Sequence, residues 1–206
     1  MNNDMPATDP DFDAGDGGPM GLPDRPAGPI QVSVIIPCHN AAETLDTPLE
    51  SLVSQTCPDW EAVLVDDGST DDTLKVAEKW VARDSRIRVI RQAQGGVSTA
   101  RNAGIAAARH DWISFLDADD RLSPGYFSEM TDALRRRKDA DAAICRMIHV
   151  KIDGSEQEIG FWLPTIGEPL SWNCPFLIHA CVVRRDLVQA VGGFDPGLKT
   201  AEDWDL

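Results

Sequence analysis

From about residue 30 onward, short apolar runs alternate with stretches whose apolar positions recur at helical spacing. Val32-Ser33-Val34-Ile35-Ile36 is compact, β-branched and ended by Pro37, which reads as a buried strand. Asn40 and Glu43 stand at capping-box spacing ahead of Leu45, Leu49, Leu52 and Val53, so a helix is expected there. Pro48 sits awkwardly inside it, where it would remove a hydrogen bond and kink the helix. Glu61 to Val65 is a second strand. Ser69 and Asp72 could cap a helix that buries Leu74, Ala77 and Val81. Ile87 to Ile90 is a third strand, and Gly95-Gly96 opens an alanine-rich helix running to about Ala108. Trp112 to Leu116 is a fourth strand. Ser123-Pro124 offers an N-cap followed by proline at N1. The helix after it has Phe127, Met130 and Leu134 on its inner face and Arg135-Arg136-Arg137-Lys138 at its C-terminal end.

Past Ala140 the pattern loosens. Residues 140–150 and 156–163 read as strands of a hairpin with Asp153-Gly154 at its turn. Ile178 to Val183 is another strand, Asp186 to Val191 a short helix, and Gly192 to Gly197 a loop. Strand-helix alternation with short links predicts one α/β domain, a mainly parallel, Rossmann-like sheet flanked by helices. No internal repeat is present. Residues 1–29 carry none of this pattern. They hold six Asp against one Arg, with six Pro and five Gly, and cannot bury enough apolar surface to offset their ordering, so a disordered acidic tail is expected. They lack the basic start and apolar centre of a signal peptide.

The net charge of −15 over 206 residues argues against nucleic acid and anionic membrane surfaces as main partners. No apolar run approaches the ~20 residues of a membrane span. The five cysteines form no C-x-x-C and no zinc-spaced pair with histidine, which suggests reduced thiols and a cytoplasmic setting.

The most chemically informative stretch is Phe115-Leu116-Asp117-Ala118-Asp119-Asp120, a carboxylate cluster directly after a strand. Open α/β folds bind ligands at that edge of the sheet. Closely packed like charges call for a cation or for solvent, and a divalent ion shared with a phosphate is the obvious cation. Taken alone, the run also reads as an acidic surface turn. Strand one ends in Pro37-Cys38-His39-Asn40 and strand two in Asp66-Asp67, polar groups suited to a nucleotide base. Taken alone, the two aspartates could equally be turn and cap residues. There is no G-x-G-x-x-G after strand one and no G-K-[ST], which weakens dehydrogenase and NTPase readings.

Together these segments resemble the family 2 glycosyltransferases. The resemblance rests on Val32 to Pro37, Asn40, Ser54-Gln55-Thr56, Val65 to Asp71, Gly95 to Gly104, Phe115 to Asp120, Gly192-Gly193-Phe194-Asp195 and Glu202-Asp203, in order across residues 32–206. It implies a GT-A fold and transfer of a sugar, with inversion, from a nucleotide-diphosphate sugar (UDP above all) to an acceptor hydroxyl of a glycan or lipid-linked molecule. It implies Mg²⁺ or Mn²⁺ as cofactor. Carried over by position, Pro37, His39 and Asn40 line the base pocket, where His39 stands in place of a frequent aromatic. Asp67 binds the base with Arg101 nearby, Asp119 faces the ribose, Asp120 holds the metal with Asp119 and Asp117 close by, and Asp203 is the general base beside Glu202. Residues 30–120 would be the donor half and 121–206 an acceptor half. Family members usually continue beyond this point, so that half is expected to be incomplete. No segment supports a membrane span, and peripheral association through a lipid acceptor stays open. Two other readings remain: a sugar nucleotidyltransferase, for which Cys38-His39-Asn40-Ala41 is a poor triphosphate loop, and a non-catalytic nucleotide-sugar-binding fragment.

Overall fold

The computed structural model describes residues 24–26, 28–150, 154–159 and 178–197. Its centre is a six-stranded sheet in the order β3-β2-β1-β4-β8-β5. Strands β1 (Val32–Cys38), β2 (Trp60–Asp67), β3 (Ile87–Gln92) and β4 (Trp112–Phe115) run parallel. Strands β5 (Ala142–Ile144) and β8 (Cys181–Arg184) close one side antiparallel. A separate hairpin pairs β6 (Met147–Val150) with β7 (Glu156–Ile159). The helices are α1 (Asp46–Val53), α2 (Thr73–Arg83), α3 (Val97–Ala107), α4 (Tyr126–Arg136) and α5 (Arg185–Ala190).

The continuous apolar runs become the central strands because helices cover both faces of the sheet. Every residue of β2 is buried. On one face Leu45, Leu49, Leu52, Trp80, Phe127 and Leu134 pack over Val34, Ile36 and Leu64. On the other, α3 lies against β1 and β2, with Ala100 over Val63 and Val65. Gly104 permits that approach: a Cβ there would stand 2.3 Å from Ile35 Cγ2.

Several local expectations shift by a few residues, each for a physical reason. Pro48 is not interior. The first helix starts at Asp46, so Pro48 falls in the first turn, where no N–H is needed. Asn40 makes no capping box. It is left-handed at φ 50°, and its side chain is turned to another loop. The fourth helix begins at Tyr126 with Gly125 as its cap, and Ser123 offers its carbonyl to Tyr126 N at 3.0 Å instead. Ile178 to Ala180 is a 3₁₀ turn, so the last strand begins at Cys181. The expected strand over 140–150 splits, its first part joining the main sheet and its second the hairpin. Residues 160–163 and Asp153 lie outside the described residues.

The expected tail also lies mostly outside them, but its end is tied down. Arg25 donates to the carbonyls of Leu134 at 2.9 Å and Arg137 at 3.0 Å, satisfying the last turn of α4, and its guanidinium sits 5.2 Å from the Trp112 ring centroid.

A buried carboxylate holds the sheet edge where the parallel strands begin. Glu61 Oε1 accepts from Ser33 Oγ and from Arg109 N, both at 2.7 Å, and Oε2 from Arg88 Nε at 3.1 Å. Arg88 reaches on to the carbonyl of Ala107. Burial opposes ionisation of Glu61, but the bonds from Arg88, Ser33 and the Arg109 amide outweigh it and hold the carboxyl below its ordinary 4.5. A depressed carboxyl stabilises the fold above its unfolded pKa and loses that contribution as pH falls through the folded value.

Two predictions follow from this packing. Glu61→Gln should destabilise the domain by about 1–3 kcal/mol near pH 7, and the gap to wild type should narrow as pH falls below about 4; urea denaturation at stepped pH measures it. Gly104→Ala should cost about 1–3 kcal/mol because the added methyl must displace Ile35, read as a lowered melting temperature.

Candidate active site

In the strand order the chain leaves β1 toward β2 and β3, then returns to β4 on the other side. The crevice of such a sheet opens at the carboxyl ends of the strands beside that reversal. There the structure gathers the loop after β1, the end of β2, the entry to α3 and the acidic turn after β4.

Asp67 is the hub. It is 4% exposed, and its carboxylate accepts three hydrogen bonds. Oδ1 takes Gly95 N at 2.8 Å and Gln92 Nε2 at 2.7 Å, and Oδ2 takes Gly96 N at 2.8 Å. A buried carboxylate needs such donors to remain charged. The glycines answer that need: Gly96 has φ 89°, and a Cβ on Gly68 would stand 2.8 Å from Gln94 N. Asp66 sits behind it, accepting from Ser69 N at 3.0 Å and pairing with Arg91 at 3.2 Å.

The loop after β1 is fixed by the same neighbours. His39 Nδ1 lies 2.9 Å from the carbonyl of Asp67. A carbonyl only accepts, so this nitrogen carries the proton. Nε2 is then an acceptor, 3.2 Å from Asn40 Nδ2 and 3.2 Å from Gln94 Nε2. Asn40 Oδ1 accepts from Thr70 N at 2.9 Å and Thr70 Oγ1 at 3.2 Å, which fixes its amide orientation. The imidazole is therefore an oriented ring exposed at the rim. Pro37 is half-buried at the end of β1. Cys38 is buried, and desolvation pushes its thiol up to about 12, reinforced by the Asp66 charge. It stays protonated and is no nucleophile.

Helix α3 ties this half to the acidic turn. Arg101 is 3% exposed; its Nη2 lies 3.4 Å from Asp117 Oδ1, and its guanidinium is 5.2 Å from the Phe194 ring centroid. Phe194 meets Phe115 edge-on at 5.3 Å. The next residue, Asn102, grips the backbone of Phe194 on both sides, Nδ2 donating to its carbonyl at 2.7 Å and Oδ1 accepting from its N–H at 2.9 Å. Gly193, at φ 73°, leaves room for that grip. In the acidic turn Asp120 N bonds the Asp117 carbonyl at 3.2 Å. Asp117 and Asp120 are half-buried and Asp119 is exposed.

Of the residues singled out in the sequence, Pro37, His39, Asn40, Asp67, Arg101, Asp117, Asp119 and Asp120 thus lie on strand ends, loops and the first turns of α3 around one sheet edge. Glu202 and Asp203 lie outside the described residues. The sequence pattern did not single out Gln92 or Gln94, and Phe194 stood in it only as part of a motif segment. The two glutamines directly ahead of Gly95-Gly96 were the available signal: amides at a strand end, one residue apart. Among the described residues no group of three or more His, Cys, Asp or Glu is arranged to hold a metal ion. The acidic turn fits an ion held by one or two carboxylates and otherwise by ligand oxygens, and does not fit an all-protein cage. Asn102→Ala should remove two hydrogen bonds to the Phe194 backbone and destabilise the domain by about 1–3 kcal/mol, with faster amide exchange at Phe194 as the local readout.

Known proteins place this arrangement. Over residues 33–192 the chain matches the model of the glycosyl transferase family 2. It is 46% identical over 101 residues to the uncharacterized glycosyltransferase EpsJ of Bacillus subtilis, covering 49% of this chain and 29% of that protein. It is 33% identical over 182 residues to the O-antigen biosynthesis protein RfbC of Myxococcus xanthus, covering 85% of this chain and 14% of that one. The fold matches the crystal structure of S. aureus TarS 1-349 in complex with UDP at a TM-score of 0.68 and 25% identity, over 84% of this chain and 53% of that TarS fragment. The chain thus spans less than a third of the length of those two relatives and about half of the TarS fragment. With the ends of β1 and β2, the start of α3 and the acidic turn after β4 gathered at one edge of a GT-A sheet, and the family model matching residues 33–192, the chain belongs to the glycosyl transferase family 2.

Proposed function

We propose that this domain binds a nucleotide-diphosphate sugar, with uridine as the nucleoside, and supports transfer of the sugar with inversion to an acceptor hydroxyl of a glycan or a lipid-linked molecule. The observation that carries this reading is the convergence of the Pro37–Asn40 loop, Asp67, Arg101 and the Asp117–Asp120 turn on the crevice beside the strand-order reversal. The complexes of TarS with UDP and with UDP-GlcNAc support the choice of donor.

Residues 30–120 form the donor half and 121–206 contribute to the acceptor half. Asp67 accepts a ring N–H of the base. His39, oriented by Asp67 and Asn40, presents its ring for stacking. Arg101 is too buried to meet the ligand broadside and acts through Asp117. Asp119, exposed at the tip of the turn, faces the ribose. Asp120, with Asp119 and Asp117 nearby, would hold Mg²⁺ or Mn²⁺. Such an ion supplies Lewis-acid neutralisation of a diphosphate leaving group. The acceptor oxygen attacks the anomeric carbon from the face opposite the diphosphate. A new C–O bond forms as the bond to the diphosphate oxygen breaks. Asp203, with Glu202 beside it, takes the hydroxyl proton; a carboxylate of ordinary pKa near ~4 is already ionised at neutral pH.

No helix among the described residues is long and apolar enough to cross a membrane. Calorimetry should detect saturable UDP binding in the presence of Mn²⁺ or Mg²⁺, weakened at least tenfold by Asp120→Asn; absence of binding with either ion would overturn the reading. Asp203→Asn should leave that binding intact and abolish sugar transfer, and a variant that still transfers would refute the assignment of the base.

A further inference from the structure

The geometry points to Gln92 as the residue that sets which nucleobase the pocket accepts, an inference that rests on the nucleotide-binding reading above. A carboxylate has four lone-pair positions, two on each oxygen. Asp67 Oδ1 has both filled, by Gly95 N at 2.8 Å and Gln92 Nε2 at 2.7 Å. Oδ2 carries Gly96 N at 2.8 Å and keeps one position. An incoming base therefore meets a single acceptor and not a two-oxygen fork.

That difference separates bases. Uracil and thymine present one ring N–H between two carbonyls, which a single acceptor satisfies. Guanine presents its N1–H beside its 2-amino group, and a carboxylate recognises that pair by lending one lone pair from each oxygen. Here the second oxygen is full. One guanine N–H would be stripped of water and left unpaired, which costs affinity. Two of the three donors on Asp67 are backbone amides of the Gly95-Gly96 turn, present whatever side chains the loop carries. Gln92 is the side-chain donor, placed by the ladder in direct register with Asp67 across β2 and β3. Asp67 can only accept, so the amide nitrogen of Gln92 must face it. Taking Gln92 away returns one open position to Oδ1 and makes the fork available.

The test is competitive binding of UDP, dTDP, GDP and IDP to this chain with Mn²⁺ present. IDP has guanine's ring size but lacks the 2-amino group, so it separates hydrogen bonding from bulk. Wild type should bind UDP and dTDP at least about tenfold more tightly than GDP, and IDP several-fold more tightly than GDP. In Gln92→Met, which keeps length and removes the donor, the UDP-to-GDP ratio should fall to within about threefold. Equal wild-type affinity for IDP and GDP would overturn the proposal without any variant. So would a Gln92→Met protein of unchanged melting temperature and unchanged ratio. Failure of all four nucleotides to bind sinks the nucleotide-binding reading itself; binding without base discrimination sinks only the role of Gln92.

Discussion

The candidate site depends on one buried carboxylate and the N–H groups that keep it charged. Asp67 ends a strand buried along its whole length, where an ionised group without donors would be untenable. Three N–H bonds, from the last residue of β3 and from the turn that leads into α3, remove that penalty. They also fix where α3 begins, and α3 carries Arg101 and Asn102. Through those two residues the helix meets the acidic turn and the Phe194 loop.

The motif segments turn out to be bonded largely to one another. Asn40 is held to Thr70, Asp67 to Gly95 and Gly96, Arg101 to Asp117, and Asn102 to Phe194. Gly104 is small because α3 rests on Ile35. A residue type at such a position answers first to this lattice of internal bonds, and its ligand chemistry is whatever capacity the lattice leaves over. Asp67 shows this most sharply: three of its four lone-pair positions are spent inside the protein. His39 shows it too, since both ring nitrogens are engaged inside the protein.

The two edges of the sheet use carboxylates differently. Glu61, at the edge where the parallel strands begin, is bonded to Ser33, Arg88 and Arg109 and joins β1, β2, β3 and the segment leading into β4. At the opposite edge Asp119 faces solvent and Asp117 meets the buried guanidinium of Arg101. The first arrangement suits stability, the second a changing partner. An acidic protein can keep such a cluster there because the connections lead away to opposite sides of the strand-order reversal and leave a crevice open to water or a ligand.

Strand and helix existence was legible because it depends on local period: β-branched runs read as buried strands, and Leu45, Leu49 and Leu52 as one helical face. The family was legible too, since its motif segments keep their order along the chain. Element ends were less so. Asn40-x-x-Glu43 and Ser123-Pro124 carry the right cap chemistry, yet Asn40 is spent on Thr70 and the Ser123 carbonyl on Gln55, contacts made across the fold that no local pattern encodes. The sequence alone determined which carboxylates stand at strand ends, because alternation of apolar runs and acidic residues places them there. Only the tertiary structure decided how much hydrogen-bonding capacity each retains. That depends on donors such as Gln92, brought alongside by parallel pairing from 25 residues away.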